Sequence, residues 1–302
     1  MRRTIAFALV ALGTCATANA QNPAFSREIM AETEIRAEQI GENLYVLFGV
    51  GGNVVASIGD QGVLIVDTQF PEMVPKYRAA IAELGGDDID IAIDTHWHYD
   101  HADGNQRLGP EGVYLISQSN SRRMMTGDHV INTVTRPPFT QHAYPPAALP
   151  IATFDDRMQL HFNGEQIDLI HTGPAHTTGD TAVIFRGHNA VHLGDVFNTS
   201  GYPFIDTDNG GDLDGMIVFC RAVLDALDSG AVVVPGHGPV GDYADLERYV
   251  AMLTSVRDKV AALVADGATL EQVVAARPTA EWDTVFGDPQ RLVDRAHASL
   301  TR

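Results

Sequence analysis

The stretch Ile89-Asp90-Ile91-Ala92-Ile93-Asp94-Thr95-His96-Trp97-His98-Tyr99-Asp100-His101 decides how the chain is read. Its first five residues are an apolar run of strand length. The run leads directly into His96, His98, Asp100 and His101, four candidate metal ligands within six residues. A strand end is a rigid base, and the loop after it can aim several side chains at one point. Imidazole nitrogens and carboxylate oxygens are standard zinc ligands, and one zinc takes about four. Four candidates packed this tightly exceed the needs of one ion and suggest two adjacent ions. Trp97 and Tyr99 alternate with them, so they should point away from the ligands and pack the loop rather than contact substrate.

Three later positions follow the same local logic. His176 lies in the polar turn Thr172 to Asp180, after a strand. Asp195 follows the apolar run Val191 to Gly194. His237 lies in Val234-Pro235-Gly236-His237-Gly238, again beyond a strand. Each has glycine beside it or nearby, which lets backbone come close to a ligand cage. His161, His171, His188 and His192 sit in or beside strands without a clustered partner and read as structural or surface residues.

Around these motifs, strand and helix signals alternate. Leu44 to Phe48 and Asn53 to Ile58 read as strands split by Gly51-Gly52, and Val63 to Val66 as a buried strand ending at Asp67. Pro71 should open a helix through about Leu84, closed by Gly85-Gly86. Further strands are expected at 113–116, 158–161, 166–171, 181–185, 190–193 and 231–234, with helices at 119–125, 213–227 and 243 to about 264. The proline-rich stretch Gly127 to Pro150 reads as an irregular loop placed to meet a substrate. Hairpins and alternating helices together indicate an α/β fold with mixed sheets covered by helices. No linker or repeat divides residues 21–302, which read as one domain.

With these residues in view, the chain resembles the metallo-β-lactamase superfamily over about Ile40 to Tyr243. The resemblance implies a four-layered αββα sandwich with the metals at one sheet edge. It implies two zinc ions: His96, His98 and His176 on the first, Asp100, His101 and His237 on the second, and Asp195 bridging both. Asp67 matches the family's strand-end aspartate, which supports the metal loop by hydrogen bonding, and Asp180 is a further supporting candidate. A shared water, its pKa lowered from about 15.7 toward ~7, would attack an ester, lactone, thioester or β-lactam carbonyl, with Asp100 handling the proton. The hairpin Gly49 to Asn53 falls where family members place a substrate-covering flap. Asn198, Ser200 and Tyr202 follow Asp195 and are candidates to line the pocket.

The departures limit how far the resemblance reaches. The family's best-known carbapenem-hydrolysing branch uses cysteine where this chain has Asp195, and a lysine that is absent near these motifs. Cys220 lies in an apolar helical pattern and reads as a core thiol. A bridging aspartate points instead to the glyoxalase II, lactonase and general hydrolase branches, with β-lactam hydrolysis as a weaker alternative role. An iron-dependent redox member and a non-catalytic binder are the readings from other classes.

Composition narrows the partners. Acidic residues number 39 against 20 basic, only Lys76 and Lys259 are lysines, and the net charge is −19. Nucleic-acid binding, which needs a basic stripe, is excluded on this balance. A small-molecule substrate is expected, and the oligomeric state is left open. Residues 1–20 combine Arg2 and Arg3, an apolar run from Thr4 to Leu12, and Ala18-Asn19-Ala20. That pattern is a secretory signal too short to span a bilayer, cleaved after Ala20, with the mature protein periplasmic or secreted. Cleavage removes Cys15 and leaves Cys220 without an intramolecular partner.

Overall fold

The computed structural model describes residues 25–302, so the expected signal segment lies outside the described residues. In chain order the strands are β1 (Arg36–Gly41), β2 (Leu44–Phe48), β3 (Val54–Gly59), β4 (Gly62–Val66), β5 (Ile89–Ile93), β6 (Tyr114–Gln118), β7 (His129–Ile131), β8 (Phe139–Gln141), β9 (Ala152–Phe154), β10 (Arg157–Phe162), β11 (Glu165–Ile170), β12 (Ala182–Phe185), β13 (Ala190–His192), β14 (Val232–Val234) and β15 (Gly241–Asp242). One sheet runs β1-β2-β3-β4-β5-β6-β9 and a second runs β10-β11-β12-β13-β14-β15. The first is antiparallel up to β4 and parallel from β4 to β9. The second is antiparallel except where β13 meets β14.

Side-chain alternation explains the layering. Along β4, Val63 and Ile65 face the helix Val74–Glu83 through Val74, Tyr77 and Ile81, while Leu64 and Val66 face the second sheet. Along β12, Val183 and Phe185 meet Leu64 and Val66 between the sheets. Ala182 and Ile184 point the other way, onto the helices Leu213–Leu224, Tyr243–Ala265 and Gln290–Leu300. Strands buried on both faces read as continuous apolar runs, as these do. The result is helix, sheet, sheet, helix: the mixed-sheet α/β sandwich expected from the sequence. Among the described residues, no helix is long and apolar enough to cross a membrane.

Local chemistry sets the element ends. The long helix starts at Tyr243 because Asp242 and Asp245 form a reciprocal capping box. The helix expected from Pro71 begins at Val74, since residues 71–73 form a turn. Strand β1 has no apolar signature, being Arg-Ala-Glu-Gln-Ile-Gly, and was not expected. It is an edge strand held by β2 and by the Arg36 guanidinium over the Phe48 ring, 3.8 Å from its centroid. The proline-rich stretch is more ordered than its composition suggests, because β7 and β8 pair into a hairpin within it.

Replacing Leu64 by Ala should cost about 2–5 kcal/mol in guanidinium-induced unfolding, since the cavity would lie between two sheets. An unfolding midpoint within error of the parent protein would contradict the sandwich core. Cys220 is fully buried, and burial pushes its thiol well above the ordinary range. It should resist a thiol reagent such as DTNB at pH 8 until the protein is unfolded; rapid labelling of the native state would place it elsewhere.

Candidate metal centre

The loop after β5 starts at Asp94 and is fixed by Asp67. Asp67 ends the strand run β4 with φ at +66°, a left-handed conformation that aspartate tolerates better than most residues. Its carboxylate accepts from Thr95 N at 2.7 Å, from Thr95 Oγ1 at 2.9 Å and from His101 Nδ1 at 2.7 Å. Residues on both sides of the loop are thereby locked to one buried anion.

Hydrogen-bond partners determine which nitrogen of each histidine is available. The single Thr95 hydroxyl proton goes to Asp67, so Thr95 Oγ1 accepts from His96 Nδ1 at 3.1 Å. His96 Nε2 is then a bare lone pair, buried without a hydrogen-bond partner. The Phe204 carbonyl can only accept, so His176 Nδ1 donates to it at 2.8 Å and Nε2 is bare. His98 Nε2 donates to Asp206 Oδ2 at 2.9 Å, which leaves Nδ1 bare. His98 Nδ1 and His176 Nε2 lie 2.9 Å apart, and the three rings form a triangle with centroids 4.7–4.8 Å apart. Three lone pairs aimed at one point repel unless a cation lies among them. Burial holds His96 and His176 below the usual histidine range, so both are neutral, as ligands must be.

A second group adjoins the first. With Nδ1 committed to Asp67, His101 presents Nε2, which lies 3.2 Å from His237 Nε2 and 3.1 Å from Asp195 Oδ1. Asp100 Oδ2 is 3.3 Å from His237 Nε2. Burial works against protonation of His237, but Asp195 and Asp100 outweigh it and push the ring up to about 10. Asp195 stands between the groups, with Oδ2 3.7 Å from His176 Nε2 and Oδ1 3.3 Å from His237 Nε2. Ligand atoms of His96, His98 and His176, of His96, His101 and Asp195, and of Asp100, His101 and His237 each fall within 4.8 Å of one another.

The expected flap has another role. Asn53 Nδ2 donates to Pro235 O and Gly238 O, and Asn53 N donates to Gly236 O. The hairpin tip is therefore a clamp on the turn that carries His237, not a cover. Gly52 packs against the His101 ring and Gly236 against the Asp195 carboxylate, closer than any Cβ allows. Two of the lone histidines hold structure, His192 Nε2 donating to Asn53 O and His171 Nδ1 donating to Asp180 O, while His161 is exposed. Asp180 caps the His176 turn by accepting from Thr177 N and Oγ1.

The site opens into a cleft of about 350 Å³ with His98, Asp100, Asp195 and His237 at its floor. Asn198 and Ser200 line it as expected. Tyr202 does not: it is buried, with its hydroxyl donating to Asp283 Oδ1 at 2.9 Å, so it cannot serve as an oxyanion donor. Tyr99 lines the cleft, whereas Trp97 packs fully buried. Asp206, Arg136 and Arg291 escaped the sequence reading. Asp206 lies in a long loop with no clustered partner in sequence, and both arginines lie far from the histidine motifs.

The profile of the metallo-beta-lactamase superfamily matches residues 48–264. An acyl-coenzyme A thioesterase of Gallus gallus is 25% identical over 209 residues, covering 63% of this chain and 73% of that protein. The alpha subunit of a 2,4-dinitroanisole O-demethylase of a Nocardioides strain is 25% identical over 150 residues, covering 49% of this chain and 42% of the relative. Among solved structures, the DIM-1 metallo-beta-lactamase superposes with a TM-score of 0.58 at 18% identity, over 74% of this chain and 99% of that one. Family profile and shared architecture agree: the chain belongs to the metallo-beta-lactamase superfamily.

Proposed function

We propose that this protein is a hydrolase that uses two zinc ions to open an ester, thioester, lactone or β-lactam carbonyl with water. One observation carries the reading: His96 Nε2, His98 Nδ1 and His176 Nε2 converge as bare lone pairs while every other nitrogen of those rings is committed. Those three residues would hold one ion; Asp100, His101 and His237 would hold the other. Asp195 would touch both, because its two oxygens face opposite groups. Bound there, zinc supplies Lewis acidity and a water acidified from about 15.7 toward ~7.

The remaining chemistry belongs to the chain. Asp67 and Asp206 hold the His101 and His98 rings in the tautomers that ligation needs. Asp100, at the cleft floor, offers a carboxylate that can take a proton from the attacking water and pass it to the leaving group. The relatives named thioesterase and β-lactamase both denote hydrolysis at an acyl carbonyl, which supports that substrate class.

Elemental analysis of the purified protein should find about two zinc ions per chain, together with turnover of nitrocefin or a simple lactone. His98→Ala should lose metal and most of that activity while keeping its circular dichroism; full activity would refute the ligand assignment. Asp206→Asn should weaken zinc binding about 10–100-fold against a competing chelator. Unchanged affinity would show that the His98 ring needs no such partner.

A further inference from the structure

Above the metal floor the cleft carries two guanidinium groups. Arg136 comes from the β7–β8 loop and Arg291 from the first turn of the helix Gln290–Leu300, outside the profile-matched region. Arg291 is partly buried, lies 6.0 Å from the Phe204 ring centroid, and donates from Nη2 to the Thr135 hydroxyl at 3.3 Å. That partner is neutral, and among the described residues no carboxylate lies within ion-pair distance of Arg291. Burial lowers its pKa, and the neighbouring charge of Arg136 lowers it further. The two guanidiniums line one cleft and repel each other, a repulsion that Asp195 and Asp100 oppose at Arg291, and an anion placed there would be held by both. The arrangement is costly in a chain of net charge −19, where basic residues are scarce.

Apolar side chains share the cleft lining with the arginines: Phe25, Ile131, Phe139 and Phe204. Resting on the hydrolase reading, we propose that the substrate is an amphipathic anion: an apolar acyl body ending in one carboxylate or phosphate, gripped by Arg136 and Arg291 while its scissile carbonyl reaches the floor. A planar guanidinium matches both oxyanions in a two-pronged contact, which an ammonium does not. The strongly acidic remainder of the chain repels anions at long range, so one anionic group suits the cleft better than several.

The test uses the zinc-loaded full chain and matched esters: 4-nitrophenyl hexanoate, 4-nitrophenyl hydrogen adipate, and a phosphonate-tailed counterpart. The ratio of kcat/KM for a charged over the uncharged ester should fall about tenfold in Arg136→Gln/Arg291→Gln. Arg291→Lys should keep part of the preference. Whichever charged ester shows the larger fall distinguishes carboxylate from phosphate. A purely structural tether between Arg291 and Thr135 would move all esters alike, and an unchanged ratio overturns the proposal. Turnover of no ester, lactone or nitrocefin would refute the hydrolase reading but still leave the anion site measurable. Calorimetric binding of 5-phenylvalerate should then weaken about tenfold in the double variant relative to its uncharged amide. Equal binding by both proteins would overturn the site.

Discussion

Asp67 stands fully buried at the end of β4 in a left-handed conformation and accepts three hydrogen bonds, two from Thr95 and one from His101. Everything at the centre depends on that carboxylate. By taking the Thr95 hydroxyl proton it makes Thr95 an acceptor for His96, which fixes the His96 tautomer. By accepting from His101 Nδ1 it turns His101 Nε2 toward Asp195 and His237. A buried anion is costly unless fully hydrogen-bonded, and here the bonds that relieve that cost also orient two ligands. Asp206 and the Phe204 carbonyl perform the same service for His98 and His176.

Division of labour between floor and walls follows from where the residues sit. The floor residues follow strands whose faces are buried, after β5, β13 and β14. The walls come from the β7–β8 hairpin, the N-terminal Phe25 and the C-terminal helix, elements that cross the outside of the sandwich. The floor and the walls are thereby built from different parts of the chain.

Much of this was legible in the sequence, for stated reasons. The ligand candidates stand out because each lies in the polar stretch that follows an apolar run, and the structure brings all seven together. The layered fold was legible because doubly buried strands leave long runs of Val, Leu and Ile. Tyr202 misled because proximity to Asp195 in sequence says nothing about direction: the chain turns after Ser200 and sends the ring under Phe286. The Gly49 to Asn53 hairpin misled because its three bonds to the His237 turn span about 180 residues and leave no local trace. Strand β1 was silent because an edge strand needs little apolar surface, and Asp206 because one aspartate in a loop carries no periodicity.

Each set of three candidate ligands is divided between the two sheets. His96 and His98, and likewise Asp100 and His101, leave the first sheet after β5, while His176 and His237 arrive from loops of the second. A nascent chain with only its first sheet formed therefore holds two donors of each set and completes neither. Contacts of such long sequence separation form late in folding, because loop closure opposes them until both sheets exist. Cation capture is thus tied to the docking of the two sheets, and a half-folded chain has no complete cage with which to sequester the wrong metal.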